Sequence, residues 1–352
     1  MEKNYTRSIF YILLFFAFIA VTAILKLTQS FIVPIVVAVL LSFVFYPFIK
    51  QMNKKAHIPW VLGIIIVVLV TLILFVVIGN LLVQSLSTVI SAYPRYESRF
   101  TSLYKLFATT FKINFDEESS LITNLWNSLG VRTAVQNAAV SVSNFFVSGA
   151  KTITVITLLV IFLLIEMKTF KVKIDEAFTN DSLKRKIKII TRKTIYQVTH
   201  YISIKFLISL MTGFLVFLAT FLIKMDFAIV WGFLAFILNF IPNFGSIISW
   251  LLTTLFAVLE FYPEWWKIFY IAILILAINM ILGNFVEPRW EGSDLGLSPF
   301  VILVSLSIWG WMWGFVGMIL AVPMMVIIKI FCENIELLNP IAILLGNSHK
   351  KK

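Results

Sequence analysis

Long stretches of this chain carry almost no charge, and polar positions arrive in bursts between them. The runs Ile9–Leu25, Phe31–Ile49, Trp60–Leu82, Ile153–Ile165, Phe206–Ile223 and Ile268–Phe285 are nearly charge-free. At about 1.5 Å of rise per helical residue, most can cross a hydrocarbon layer about 30 Å thick. Each therefore predicts a membrane-spanning helix. The fourth run is short and is expected to extend back through Phe145. The first has the look of a signal peptide, but a second span follows within a few residues and more come after. That order predicts an uncleaved first helix.

Two segments do not fit this scheme. Between Asp226 and Glu260 lie 33 uncharged residues, Phe227–Leu259, which as one straight helix would measure about 50 Å. At their centre stands NFIPNFGSIIS, residues 239–249. Pro242 lacks the amide proton a continuous helix needs, and Gly245 allows backbone that other residues resist. Two half-helices meeting at Pro242–Gly245 are predicted. The same design recurs in Leu295–Ile328, 34 uncharged residues with WGWMWGFVG, Trp309–Gly317, at the centre. Each broken segment follows one ordinary span, so the pattern predicts two span-plus-hairpin repeats. If both hairpins are re-entrant they enter from opposite sides, the inverted arrangement with which many secondary transporters build a midplane site. The alternatives are a short turn between two full spans and a kink in one tilted helix, the latter giving about eight spans.

The fold class is thus an all-α polytopic membrane protein, with six full spans plus two broken or re-entrant helical hairpins. Composition agrees: 60% of the 352 residues are hydrophobic and only 13% are charged, too much apolar surface for a soluble domain to cover. The net charge of +12 raises nucleic acid as a partner. Its distribution argues against that, because ten of the 29 basic residues fall between Lys168 and Lys205, and Lys50, Lys54 and Lys55 follow the second span. Basic clusters beside membrane helices set topology. They place both termini in the cytoplasm, and the Lys- and Ile-rich composition suits a bacterial cell membrane.

Five regions follow. Residues 1–82 form a three-span unit and residues 83–150 an extracytoplasmic region. There Leu82, Leu86, Val89, Ile90, Tyr93, Tyr96, Phe100, Leu103 and Phe107 recur at helical spacing, as do Val135, Ala138, Ala139, Val142 and Phe146. These predict amphipathic helices. Residues 151–205 hold the fourth span and a helix in which Leu183, Ile187, Ile190, Ile195, Val198 and Ile202 oppose a basic face. That pattern suits the anionic inner leaflet of the bilayer, as an anchor or as part of a gate. Residues 206–332 form the transport core, and 333–352 a cytoplasmic tail.

Chemistry is sparse. Cys332 is the single cysteine, and His57, His200 and His349 are scattered, which gives no metal cluster. No Gly-Lys pair exists, so there is no phosphate-binding loop and no ATPase in this chain. No enzyme constellation occurs and no cofactor is expected. The polar residues at the breaks carry what function the chain has. Asn239, Asn243, Ser246 and Ser249 cluster around the first, where a half-helix N-terminus suits an anion or a polar oxygen, or where they simply cap the helix. Asn279, Asn284 and Glu287 fall on roughly one helical face, and Glu287 is either paired with Arg289 or a proton or cation site. Trp309, Trp311 and Trp313 read as an interfacial belt or a pocket, and Gly310, Gly314 and Gly317 as close helix packing.

FIPNFGSIIS and, later, GNFVEPRWEGSDLGLSPFVILVSLSIWGWMWGFVGMILAVP make the chain resemble the autoinducer-2 exporter family. The family pattern matches at Pro242 and Gly245, then at Asn284, Glu287, Pro288, Leu297, Pro299, Gly314, Gly317, Ala321 and Pro323. Ser246 departs from it, since the family often has proline there. The resemblance implies a secondary transporter exporting a small polar solute of autoinducer-2 type by alternating access. Sodium/proton antiport is the alternative, with a proton or sodium ion as coupling ion, and a non-transporting scaffold ranks below both. Small residues in the last segment and the large outer helices suggest a homo-oligomer.

Overall fold

The computed structural model describes residues 12, 16–17, 19–110, 131–291 and 296–346. Among them the chain is helical almost throughout, and the one β contact is an isolated antiparallel bridge between Leu297 and Gly346. A helical segment at 19–27 leads into α1, Gln29–Lys55, and α2 is Trp60–Thr110. The long α3 and α4 are Val131–Ala177 and Asp181–Leu222. Two short helices follow, α5 at Ala228–Leu238 and α6 at Phe244–Phe261. Then come α7 at Trp265–Met280, a π-helical turn at Ile281–Val286, and α8 at Glu287–Glu291. The chain closes with α9 at Pro299–Asn334, a 3-10 turn at Glu336–Leu338 and α10 at Asn339–Leu345.

Seven described helices are long and apolar enough to cross a membrane: Gln29–Lys55, Trp60–Ser85, Gly149–Phe170, Asp181–Leu222, Phe244–Phe261, Trp265–Glu291 and Pro299–Asn334. Large side chains such as Leu69, Ile73, Phe162, Phe214 and Ile273 lie exposed along them. Exposed apolar bands on helices of this length are the expected boundary with lipid. The chain is an all-α, multi-pass membrane protein.

The helices run through boundaries that the charge pattern suggests. The basic stretch and the following span form one 42-residue helix, α4, rather than a separate surface helix ending at residue 205. Nothing between Tyr201 and Leu207 stops a helix, since neither proline nor glycine occurs there. In the same way α2 continues unbroken to Thr110, and α3 starts at Val131, well before its span. Of the outer residues at helical spacing, Tyr96 is buried. The side chains of Leu82, Leu86, Val89, Ile90, Tyr93, Phe100, Leu103, Phe107, Val135, Ala138, Ala139, Val142 and Phe146 lie outside the described ones.

The chain divides into two compact units. The first comprises Met1–Val68, Thr152–Ser203 and Glu291–Lys352. Its described core gathers Ala38, Ile49, Ile64, Val160 and Leu164 from α1, α2 and α3. The Trp60 indole N–H donates to the Leu164 carbonyl at 3.0 Å, and the Thr199 hydroxyl to the Phe43 carbonyl at 2.8 Å. The second unit comprises Leu69–Lys151 and Ile204–Trp290. One cluster there joins Val216, Met225, Ala235, Ala257, Phe261, Ile268, Ile271 and Ile275. Another joins Ile208, Ala219, Ile278 and Leu282. Gly213 of α4 and Gly232 of α5 bring two backbones together, because a Cβ on Gly213 would lie 2.7 Å from the Gly232 oxygen.

Candidate functional site: two glycine-tipped hairpins

The first uncharged segment breaks around Pro242, which has no amide proton to donate, although Pro34, Pro47 and Pro323 lie inside continuous helices and proline alone does not end one here. The α5 helix ends at Leu238 and α6 begins at Phe244. The positive-φ residue in the break is Asn243, at φ 63° and ψ −51°, not the glycine. There the Phe244 N–H donates to the Pro242 carbonyl at 2.7 Å, which closes a γ-turn around Asn243. Gly245 serves a different need: a Cβ there would lie 1.7 Å from the Leu238 carbonyl oxygen. The backbone folds back on itself too closely for any side chain.

The two ends of the segment are tied together. The Asp226 backbone N–H donates to both oxygens of the Glu260 carboxylate, at 3.0 and 3.1 Å. The charges that bound the segment in sequence thus meet at one base, and α5 and α6 form a helical hairpin. Side chains of α2 brace that base. Arg95 forms an ion pair with Asp226, the Tyr96 hydroxyl donates to the same carboxylate, and Arg99 donates to the Glu260 carbonyl. Burial first, and the hydrogen bond to Asp226 next, raise the Tyr96 phenol above its ordinary pKa.

Near the tip, polar side chains turn inward. The buried Asn239 amide donates to the Ser209 hydroxyl of α4 at 3.0 Å, and the Asn279 amide of α7 donates to the Ser246 carbonyl at 3.1 Å. Asn243 makes no capping hydrogen bond with its side chain; instead the Ser246 hydroxyl donates to the Asn243 carbonyl at 3.1 Å. Four buried polar atoms of this unit, Trp231 Nε1, Ser249 Oγ, Thr254 Oγ1 and Asn279 Oδ1, have no hydrogen-bond partner among the described residues. Each such atom costs about 1–3 kcal/mol in a folded interior. The unit therefore carries polar capacity that its fold leaves unused.

Asn279, Asn284 and Glu287 do not share one face. The π-helical turn Ile281–Val286 lies between them and shifts the register that a 3.6-residue period assumes. Asn279 meets α6, Asn284 is exposed, and Glu287 forms an ion pair with Lys205 of α4. Arg289, the neighbour that sequence suggests for Glu287, lies exposed. The side chains of Lys205 and Glu287 are only 5% and 15% exposed. Lys205 stands one helical turn from Ser209, so the ion pair and the Asn239 hydrogen bond occupy successive turns of α4. In the sequence, Lys205 merges with the basic cluster before it. Its one distinguishing signal is a set of apolar neighbours, Ile202, Ile204, Phe206 and Leu207.

The second uncharged segment repeats the design in the first unit. Its break falls at Gly314, with φ 61° and ψ −142° inside α9, a conformation open in practice only to glycine. At Gly317 a Cβ would lie 1.9 Å from the Trp309 carbonyl oxygen. The ends again meet: the Lys329 ammonium donates to the Gly296 carbonyl at 2.8 Å. The Ser298 N–H donates to the Leu345 carbonyl at 3.0 Å. Gly310 faces the Met318 side chain, and Pro323 is buried within the returning half. Trp309 and Trp313 are buried while Trp311 is exposed, so the three do not form one belt. The Trp313 indole N–H donates to the Leu25 carbonyl at 3.1 Å, and the Lys26 ammonium sits 3.3 Å from the Trp311 ring centroid.

The sequence profile described as "AI-2E family transporter" matches residues 10–337. The chain belongs to the AI-2E family. A putative transport protein of Haemophilus influenzae is 32% identical over 348 residues, covering 94% of each chain. The AI-2 transport protein TqsA of Escherichia coli is 29% identical over 334 residues, covering 93% of this chain and 92% of its own. A sodium-lithium/proton antiporter of Halobacillus andaensis is 24% identical over 313 residues, covering 84% of this chain and 87% of its own. This AI-2E family member is a membrane transport protein. Gly245, Gly314 and Gly317 lie at the two tips, where backbone geometry demands them.

Proposed function

We propose that the protein is a secondary transporter that exports a small polar solute of autoinducer-2 type by alternating access. The observation that carries this reading is the pair of hairpins, each tied at its base and closed by a glycine at its tip. Broken helices lining a membrane cavity are where transporters bind polar cargo, because freed backbone and buried polar side chains replace water there. In this reading Asn239, Pro242, Asn243, Gly245 and Ser246 line the path at the first tip, and Gly310, Gly314, Gly317 and Pro323 at the second. Asn284, Glu287 and Arg289 stand at the end of the span Trp265–Glu291. The protein lies in a bacterial cell membrane with both termini cytoplasmic and works as a homo-oligomer. The test is efflux of autoinducer-2 from cells and from proteoliposomes containing the purified protein. Asn239→Ala, which removes the amide held by Ser209, should slow efflux about tenfold or more, from a buried hydrogen bond worth roughly 1–3 kcal/mol when broken. Equal efflux from empty vesicles and loaded ones would reject the reading.

A second reading is favoured by the Lys205–Glu287 pair together with the similarity to a sodium-lithium/proton antiporter. A carboxylate whose countercharge can be displaced by a proton or sodium ion is a coupling device. Sodium flux driven by a pH gradient in proteoliposomes, lost in a folded Lys205→Met/Glu287→Leu variant that leaves no stranded charge, supports antiport. Efflux of autoinducer-2 without such flux supports export alone.

A further inference from the structure

We propose that the cleft at the start of α4 is a binding site for a phosphate group. It holds about 450 Å³ and is lined by Asp181, Ser182, Arg185, Lys186, Ile189 and Asn334, within the range of small-molecule sites. The proposal is independent of the transport reading, since none of these residues belongs to either hairpin tip.

The electrostatics of the cleft select an anion. Acidic groups nearby are engaged with other cations: Asp175 with Lys188, and Glu333 with both Lys193 and Lys329. The one lining carboxylate, Asp181, is 98% exposed and stands 3.8 Å from Lys184, so with Arg185 and Lys186 the lining is net positive. Arg185 and Lys186 are left exposed, with no ion pair among the described residues. Ser182, Arg185, Lys186 and Ile189 fall at i, i+3, i+4 and i+7, one face of a helix. That face offers a guanidinium fork, an ammonium and a hydroxyl beside one apolar wall.

A tetrahedral phosphate matches this set better than a flat carboxylate. The guanidinium engages two oxygens, the ammonium and the hydroxyl take the others, and Ile189 receives the carbon side of an ester. The helix N-terminus is not what makes the site. Asn180 already caps it, its side-chain oxygen accepting from the Ser182 and Leu183 amides at 2.9 and 3.2 Å. The opposite wall is fixed as well. The Lys193–Glu333 ion pair at 2.5 Å holds the end of α9 against α4, and the Asn334 amide donates to Ile330 at 2.7 Å, leaving its second N–H for a ligand. The phosphate can belong to a phospholipid headgroup or to a soluble phosphate ester, and the chemistry is the same.

The experiment uses the full-length protein in phosphatidylcholine nanodiscs, titrated with inorganic phosphate by calorimetry. A parallel arm uses discs containing phosphatidylglycerol, with retained lipid counted by native mass spectrometry. Arg185→Gln/Lys186→Gln should weaken whichever ligand binds by about tenfold or more, as the loss of two charge-assisted contacts requires. Lys54→Gln/Lys55→Gln removes the same charge elsewhere and should leave binding unchanged. Ser182→Asp keeps an acid-tolerant first turn folded while repelling phosphate, so it too should abolish binding. Phosphate binding in plain discs assigns a soluble ligand, and retention of phosphatidylglycerol alone assigns a lipid; both support the site. The proposal is overturned if neither binds, or if the Lys54/Lys55 variant loses binding as fully as the cleft variants.

Discussion

Gly245 and Gly317 each lie against a carbonyl oxygen, of Leu238 and Trp309, at separations no Cβ can share, whereas Gly314 has open space around it and is needed for its φ of 61°. Gly245→Ala and Gly317→Ala should each destabilise the purified protein by about 1–3 kcal/mol or more, as overpacking does. Ile273→Val, on an exposed side chain, should change thermal unfolding in detergent hardly at all. An unchanged melting temperature for Gly245→Ala would mean that the tip is looser than the structure has it. The Lys205–Glu287 pair makes a second case. Breaking one side of a buried pair costs about 3–5 kcal/mol because the other charge is left stranded. Glu287→Gln alone should therefore destabilise strongly, and Lys205→Met with Glu287→Leu should regain most of the loss. If Arg289→Gln rescues Glu287→Gln instead, the partner has been misassigned.

Among elements, the hairpin base formed by Asp226 and Glu260 depends on α2, through Arg95, Tyr96 and Arg99. Tyr96 makes this contact sensitive to alkali. Its folded pKa is raised above the ordinary phenol value of about 10. The stabilisation from its protonated hydroxyl is therefore complete below that value and is lost as pH rises through the folded pKa. Unfolding followed from pH 7 to 11 should show stability falling at the alkaline end. Tyr96→Phe should be weaker at neutral pH by about 1 kcal/mol, the net worth of one hydrogen bond. It should also lose part of the alkaline decline, and a decline of full size in the variant would show that another group titrates.

For the whole molecule, the span Trp265–Glu291 separates the two hairpins along the chain. If it crosses the membrane once, with both termini cytoplasmic, the loop at Glu264 faces outward and the one at Arg289 faces the cytoplasm. With Cys332→Ser as background, Glu264→Cys should react with an impermeant thiol reagent in intact cells, and Arg289→Cys should react only after the membrane is opened. The reverse labelling would invert the topology and favour the alternative of about eight full spans.

The sequence by itself determined the class of the protein. Charge-free runs of spanning length, in a chain 60% hydrophobic, have no stable home except lipid, so an all-helical membrane fold is legible from composition and period. It also located both breaks, because proline and glycine act on their own backbone, and it carried the family pattern. What only the tertiary structure decided is which residues meet. Asp226 and Glu260 are 34 positions apart, and nothing local tells either that it faces the other. A helical period placed Asn279, Asn284 and Glu287 together, but the π-helical turn separates them. Neighbour logic gave Glu287 to Arg289, yet burial against α4 gave it to Lys205. Gly245 was marked for its conformational freedom, while the fold uses it for the absence of a side chain and places the positive-φ residue, the centre of a γ-turn, at Asn243. Local propensity acts through adjacent bonds and can be read along the chain, whereas ion pairs and close backbone contacts depend on distances that exist only once the helices have packed.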